Sequence, residues 1–443
     1  MAFITFVTTY RPTICGIADY AHFITRESPP DWWDVLSFSL DTYGIPISCE
    51  RIPCPDPVWY GITSHSEYSA RTILDGLRPH ENGVIWFQHE FGIWPDSARF
   101  VNMLRDLDQI KVISLHTLHF QSNETPYGLR TQEYSLLQSL LPHTDAITVF
   151  SDGVYRAVNQ AFPEYIDKVY VLRHGTHVYH KVASMTRQEA KARIYEYLLK
   201  TPGLDEASKR HLKQQHILLD MDTIIIGGTG FISASKGIEL IYQARDILQQ
   251  MLPEAKIAAL YVGYLREPNI GIDSRCATEL GNKCNDTGKF FIETYLPEDM
   301  LPVMLRALDI HLYWPSDCTQ SGILAHALGA GATIACRDLE GVGETVRMAG
   351  GLTSSDFGSL LDGVKSLIRS AALREELSTS AVRYSEEFSW RNQAQRHFEL
   401  ADQLVACRVR YTDIDMPAVS HPHPESKILE RARPARDIAV NPY

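Results

Sequence analysis

The protein has 443 residues, and this length predicts two domains because a single hydrophobic core seldom serves more than about 300 residues. An apolar content of 44% and a charged content of 22% are typical of a soluble globular protein. The net charge of −12 argues against nucleic acid or an anionic membrane as the main partner. Since no run approaches the roughly 20 apolar residues of a membrane span and the N-terminus lacks signal-peptide features, we expect a cytoplasmic protein without a transmembrane segment.

Five segments of the first half predict buried strands of a parallel sheet, because they are short and rich in β-branched and other apolar residues. Their ranges are 2–8, 84–89, 112–115, 146–150 and 168–174. The segment 186–218 is charged, and its apolar residues recur with helical periodicity. It therefore predicts a helical connector.

Five further segments predict a second sheet, at 223–226, 256–263, 289–292, 309–313 and 332–336. A short helix is expected at 323–328, another is expected to begin near residue 296, and the segment from 337 to 344 is expected to be a loop. Helices should then continue to about residue 405. Alternating strands and helices place the chain in the α/β class, in which ligands gather at the carboxyl ends of the strands.

Two helix starts in the second half are candidate phosphate sites. Ser321 fits an N-cap, and Gly322 would let a ligand approach the backbone closely. Free N–H groups and the helix dipole at such a start favour an anion. Lys236, at the other helix start, offers a compact positive charge. A plain βαβ unit without a ligand, with Lys236 solvated, explains the same residues about equally well.

Three loops of the first half carry polar residues at predicted strand ends. Gly16 either lies beside a ligand or only forms a helix-start turn. His89 and Glu90 form an acid–base couple, an acceptor clamp or a buried hydrogen-bonded pair. His116 and His119 are three residues apart, but no third metal ligand with suitable spacing follows. The eight cysteines show no zinc-knuckle spacing either, so we expect free thiols and no metal.

Several motifs resemble those of GT-B glycosyltransferases of the family 4 type. The stretch 10–18 is similar to the family's Tyr-Pro-Pro-Arg-x-Cys-Gly-Ile-Ala, and 88–93 is similar to Gln-His-Glu-Phe-Gly-Ile. The stretch 230–237 matches Gly-Phe-Ile followed by Lys-Gly, and 321–331 resembles Ser-Gly-Thr-Leu-Ala-Tyr-Ala-Leu-Gly-Ala-Gly. The resemblance covers roughly residues 2–406.

The chain departs from the family pattern at three positions. Cys318 and His326 stand where the family has two glutamates, and Phe231 stands where many members have arginine. Lys236 would then carry more of the phosphate charge, unless Arg266, after the strand 256–263, replaces the lost arginine.

The resemblance implies a GT-B fold, with two Rossmann-like α/β/α domains facing across a cleft and a C-terminal helix that crosses back. It implies a retaining hexosyltransferase that moves a sugar from a UDP- or GDP-sugar to an acceptor hydroxyl, without metal or other cofactor; a homo-oligomer is compatible with this. A catalytically degenerate GT-B protein that binds nucleotide sugars or glycans is the alternative. The implied acceptor domain, helical connector, donor domain, crossing helix and Pro-rich tail are 1–185, 186–220, 221–385, 386–406 and 407–443.

The residues and the resemblance together suggest roles for individual side chains. His116 and Lys236 are the catalytic candidates. His89 and Glu90 are the acceptor-binding candidates. The donor-binding candidates are Gly16, Arg266, Ser321, Gly322, His326 and Glu344. For His326, a core position without a ligand explains the sequence about equally well.

Overall fold

The computed structural model describes residues 1–13, 15–40, 57–78, 80, 82–202, 204–265, 272–283 and 288–412. The first half of the chain forms a parallel sheet of seven strands flanked by helices. The strands are β1 (Phe3–Val7), β2 (Trp33–Phe38), β3 (Val58–Ile62), β4 (Gly83–His89), β5 (Ile110–Leu115), β6 (Ala146–Val149) and β7 (Val169–Val171), in the spatial order β3-β2-β1-β4-β5-β6-β7. The helices are α1 (Gly16–Arg26), α2 (Ala70–Gly76), α3 (Ser97–Arg105), α4 (Thr131–Leu140) and α5 (Asp152–Ala161).

The second half forms a parallel sheet of six strands. Helices α6 (His180–Ala183), α7 (Arg187–Lys200) and α8 (Glu206–Gln215) precede it. Its strands are β8 (Thr223–Phe231), β9 (Lys256–Tyr264), β10 (Lys289–Glu293), β11 (Ile310–Tyr313), β12 (Ile334–Arg337) and β13 (Leu352–Ser354), in the order β10-β9-β8-β11-β12-β13. The remaining helices are α9 (Ile238–Met251), α10 (Ile272–Lys283), α11 (Leu301–Ala307), α12 (Gly322–Gly329), α13 (Glu340–Met348), α14 (Phe357–Arg369), α15 (Ala371–Glu387) and α16 (Trp390–Thr412).

Helix α16 returns to the first sheet and completes its core. Trp390, Phe398 and Ala401 belong to the same buried cluster as Ile4 and Phe6 of β1. Burying large apolar side chains stabilises this contact by roughly 1.5–3 kcal/mol for each one. The expected crossing helix is therefore present, and the structure describes it from Trp390 to Thr412.

The connector is helical, as predicted, and it is anchored to the second sheet. On α7, the buried Lys191 Nζ lies 2.7 Å from Asp309 Oδ2, just before β11. Ile194 and Leu198 of the same helix belong to a core cluster with Leu260 of β9. None of the described helices is both long enough and apolar enough to cross a membrane.

The predicted strands are present, but three strands were missed and several element bounds were wrong. The missed strands are β2, which contains the buried polar Asp34, β3, which contains Gly61, and β13, which has only three residues. Strand β8 continues past residue 226 through its glycines. Glycine is required at 227, because a Cβ there would lie 2.0 Å from the carbonyl oxygen of Leu260 on β9. Helix α11 begins at Leu301 rather than near 296.

Candidate functional site

The Lys236 loop follows β8 at the carboxyl end of the second sheet. Lys236 Nζ donates to the carbonyl oxygen of Phe231 at 2.6 Å, and the loop turns sharply at Gly237, whose φ is +62°. A Cβ at Gly237 would lie 2.3 Å from the carbonyl oxygen of Trp314, after β11. Glycine is therefore required at this position, both for its φ and for the close approach.

The structure brings Lys236 and the start of α12 together, although they lie far apart in sequence. A Cβ on Gly230 would lie 3.6 Å both from Lys236 Nζ and from Ile323 Cδ1, in the first turn of α12. Ser321 is the N-cap, as predicted, but its side chain makes no capping hydrogen bond. A Cβ on Gly322 would meet no heavy atom within 4 Å. The helix start therefore has open space beside a lysine ammonium group, an arrangement that favours a phosphate.

The two halves of the chain meet at this face in a closed cleft. A small pocket lies between them, with room for roughly one water molecule. Its lining comes from both halves: His174, Thr176, Gln320, Ser321, Leu324, Ala325, Leu328, Val342 and Thr345.

His116 lies at the end of β5, at the cleft. Its ring Nε2 is 2.6 Å from Gln88 Oε1, and its carbonyl oxygen accepts a 3.1 Å hydrogen bond from Thr319 Oγ1 of the second half. Burial and the neighbouring His174 and His89 lower the pKa of His116 to about 3. At neutral pH the ring is therefore an uncharged hydrogen-bonding group.

The other first-half candidates differ in exposure. His89 is 2% exposed and packs against Phe91 and Phe100, and its Nε2 has no hydrogen-bond partner. Burial lowers its pKa to about 3. No hydrogen bond joins His89 to Glu90. Glu90 Oε2 instead accepts from the backbone N–H of Gly92. The acceptor-binding roles of His89 and Glu90 stay predictions.

Gly16 is the first residue of α1 at the carboxyl end of β1. A Cβ there would meet no heavy atom within 4 Å, so the backbone borders open space, as at Gly322. Its role beside a donor stays a prediction. Arg266 lies outside the described residues.

His326 and Cys318 are both uncharged at neutral pH. His326 Nδ1 lies 2.7 Å from the Tyr179 hydroxyl, and its ring stacks on His177 with centroids 3.9 Å apart. Burial and the neighbouring His174 lower the pKa of His326 to about 4. Burial raises the pKa of the Cys318 thiol, which donates to the carbonyl oxygen of Gln320.

Glu344, expected in a loop, lies within α13 and reaches across the cleft. Its carboxylate accepts from the backbone N–H groups of Asp152 (2.7 Å) and Gly153 (2.9 Å), at the start of α5. It also accepts from Arg173 Nη1 at 2.7 Å. A carboxylate at a helix N-terminus is stabilised by the helix dipole and by the free N–H groups. In this closed arrangement Glu344 binds the first half of the protein.

Sequence reasoning missed Glu340, one helical turn before Glu344. Its carboxylate accepts from the backbone N–H groups of Phe120 (2.7 Å) and Gln121 (3.1 Å), also across the cleft. It is 3% exposed and has a φ of +48°, which is rare for a residue other than glycine. In a helix, a spacing of four residues places two side chains on the same face. Sequence reasoning could not use this spacing, because a loop was predicted for residues 337–344.

Sequence reasoning also missed a third contact across the cleft. Asp317, in the loop after β11, accepts a hydrogen bond from Arg130 Nη2 at 2.8 Å and lies 3.1 Å from His119 Nε2. Among the described residues, no group of three or more His, Cys, Asp or Glu side chains is arranged to hold a metal ion.

Comparisons with known proteins rest on structure alone. No protein-family model matches the sequence, and no curated protein sequence is a significant match. The fold is similar to that of α,α-trehalose 6-phosphate synthase from Burkholderia multivorans, with a TM-score of 0.63, 10% identity and coverage of 95% of this chain and 100% of that one. The corresponding synthase from Burkholderia xenovorans in complex with glucose-6-phosphate gives a TM-score of 0.61, 12% identity and coverage of 90% and 100%. The E. coli trehalose-6-phosphate protein bound with UDP-2-fluoro glucose gives a TM-score of 0.60 and 12% identity, with coverage of 90% of this chain and 99% of that one.

These similarities establish the architecture of the chain. The two-sheet α/β architecture of this chain, with its seven- and six-stranded parallel sheets, is similar to that of those proteins over at least 90% of this chain and 99% of theirs. The predicted GT-B fold is therefore confirmed.

Proposed function

We propose that the protein is a retaining glycosyltransferase that moves a hexose from a nucleotide sugar to an acceptor hydroxyl. The observation that carries the proposal is the meeting of Lys236 with the open start of α12 at the carboxyl ends of the second sheet. This is the edge at which α/β sheets bind ligands, and a diphosphate suits both groups. The donor is accordingly assigned to the second half and the acceptor to the first.

The chemistry follows from where charge develops in the reaction. When the bond from the sugar to the diphosphate breaks, negative charge grows on the leaving phosphate. The Lys236 ammonium group and the first N–H groups of α12 would stabilise that charge, so no metal is required for this step. The acceptor hydroxyl would attack on the same face and pass its proton to the leaving phosphate, which requires no protein nucleophile.

His116 is assigned to the donor sugar, which is the group transferred. As a neutral ring at the cleft, it can hydrogen-bond a sugar hydroxyl, and Gln88 fixes its orientation through Nε2. Gly16 and Gly322 border open space on the two sides and would let a ligand approach the backbone.

The structures with the same fold that were obtained with UDP-2-fluoro glucose and with glucose-6-phosphate support testing a UDP-sugar donor and a sugar-phosphate acceptor first. Thermal shift of the full chain against UDP-, GDP- and ADP-sugars would identify the donor, since a bound ligand raises Tm. Turnover with candidate acceptors would then follow. We expect free nucleoside diphosphate and a product in which the donor sugar, with its anomeric configuration retained, is joined to the acceptor. A nucleotide sugar that binds but is never turned over would contradict the enzymatic proposal.

That outcome would favour the degenerate binding protein. The specific observation behind this second candidate is that Cys318 and His326 are uncharged where the family has glutamates. An ionised carboxylate can accept two hydrogen bonds from neighbouring hydroxyls, whereas a neutral imidazole offers one acceptor. If the two lost acids are essential, Cys318→Glu combined with His326→Glu should create turnover in a chain that lacks it.

A further inference from the structure

His119 lies between two carboxylates that belong to different halves of the protein. Its Nδ1 is 2.5 Å from Glu133 Oε1 on α4, and its Nε2 is 3.1 Å from Asp317 Oδ1 in the loop after β11. His119 is 4% exposed and Glu133 is 2% exposed. Arg130 Nη2 donates to the other oxygen of Asp317 at 2.8 Å. The imidazole ring therefore bridges the cleft.

This geometry requires a proton on both ring nitrogens. A neutral imidazole has one N–H donor, but here each nitrogen faces an oxygen of a carboxylate, which only accepts. The neighbouring charged groups are Glu133 and Arg130 on the side of His119, and Asp317 and Glu340 on the other side. Burial lowers the pKa of His119, but the hydrogen bonds to Glu133 and Asp317 outweigh it, so that the pKa lies above its ordinary value.

We propose that His119 is a pH-sensitive latch: its protonated ring binds Asp317 and holds the cleft closed, and loss of the proton lets the cleft open. Phe120 and Gln121, the two residues after His119, also connect the two halves. Their backbone N–H groups donate to the carboxylate of Glu340. Release of Asp317 therefore weakens the attachment of the segment that holds Glu340.

The direction of the pH effect follows from the partners of His119. In the closed form the ring is buried but faces two carboxylates, whereas in the open form it gains water and keeps only Glu133. Because the hydrogen bonds outweigh burial in the closed form, the pKa of His119 is taken to be higher when the cleft is closed. The closed form therefore binds the proton more tightly, is favoured at low pH and is lost as pH rises through the closed-state pKa, above about 6.5. Each unit of difference between the two pKa values changes the ratio of closed to open protein about tenfold.

The test uses the full chain without any nucleotide, so its result is independent of the proposed function. Amide hydrogen exchange of a peptide containing Phe120 and Gln121, corrected for the intrinsic pH dependence of exchange, reports directly on the bonds to Glu340. Small-angle scattering reports the separation of the halves. Between about pH 6 and pH 9 we expect protection of these amides to fall about tenfold for each unit by which closure raises the pKa, and the radius of gyration to increase.

Asp317→Asn is the decisive variant, because the side chain of Asp317 is half-exposed and its replacement does not disturb the core. The asparagine N–H can donate to a neutral His119 Nε2, so the latch no longer needs the proton. We expect the variant to stay closed at both pH values. His180→Gln, which removes an exposed histidine 3.7 Å from Glu386, should keep the wild-type pH response. Equal corrected protection at pH 6 and pH 9 in the wild type, or an undiminished pH response in Asp317→Asn, would overturn the proposal.

Discussion

The two halves of the molecule handle buried titratable groups in different ways. Among the described residues, burial lowers the pKa of five histidines in the first half and α16, but of only two in the second half, His311 and His326. Buried charged side chains occur in both halves: Arg173 in the first, and Arg306 and the Lys191–Asp309 ion pair in the second. Arg187 donates to the carbonyl oxygen of Leu308 and to Thr333 Oγ1. In the first half and α16, burial lowers the pKa of each of these five histidines well below its ordinary value: His89, His116, His174, His177 and His397.

The difference has a simple physical cause. A histidine can lose its charge on burial at a small cost at neutral pH, because its ordinary pKa of about 6.5 is close to 7. Arginine keeps its charge, so the fold must supply oxygen acceptors, as it does for Arg306 through the carbonyl oxygen of Gly331 and Ser378 Oγ. With five histidines of lowered pKa against two, the first half and α16 are therefore expected to lose more stability in acid than the second half.

The largest expected effect is a greater loss of stability in acid for the first half than for the second. The unfolded chain protonates these histidines near pH 6.5, whereas the folded chain does so only near pH 4 or below, so stability falls as pH falls through that window. Each such histidine contributes a slope of up to about 1.4 kcal/mol per pH unit. Hydrogen exchange at pH 7, 6 and 5 should show the first sheet losing protection before the second. Equal losses of protection in the two sheets would contradict the expected difference in acid sensitivity between the two halves.

Next in size is the loss of the ion pair in the second half. Lys191→Met leaves Asp309 buried without its cation, which typically costs about 3–5 kcal/mol of unfolding free energy. Urea unfolding measures this change. The matched control is Lys200→Met on the same helix, which breaks an exposed pair with Glu196 and should change stability by less than about 1 kcal/mol. Similar effects of the two substitutions would mean that the buried pair does not anchor the connector.

His116→Ala tests whether the neutral ring of His116 acts on the transferring sugar. The ring is assigned to the transferring sugar, so we expect kcat to fall about 100-fold while donor affinity changes little. Steady-state kinetics and calorimetric binding of the donor separate the two quantities. Activity that is lost in a chelator and restored by zinc would instead indicate a metal role for this histidine.

Lys236→Ala tests whether the ammonium group of Lys236 binds the diphosphate of the nucleotide sugar. Losing a charged hydrogen-bond partner costs about 1.5–3 kcal/mol, so nucleotide-sugar affinity should fall tenfold or more without a change in folding. Lys365→Ala, which removes a lysine paired with Asp362 on α14 of the same half, should leave affinity unchanged. Wild-type donor binding by a folded Lys236→Ala protein would exclude this lysine from the site.

Local patterns in the sequence were enough to find the strands with strong apolar character and the two helix starts that carry Lys236 and Ser321. They failed where tertiary contacts decide the outcome. Strand β2 keeps Asp34 buried beside Arg78, which no local pattern shows. The glycines of β8 suggested the end of a strand, but Gly227 lies inside it, where the neighbouring strand leaves no room for a side chain.

The sequence by itself determined the α/β class, the alternation of strands and helices and the residue types at the strand ends, because these depend on neighbours a few residues apart. Only the tertiary structure decided which polar groups meet. It buried His89 among aromatic rings, directed Glu340 and Glu344 onto N–H groups of the other half, and joined His119 to Asp317, 198 residues away. Such contacts depend on how two separately formed sheets face each other, and no spacing within either half contains that information.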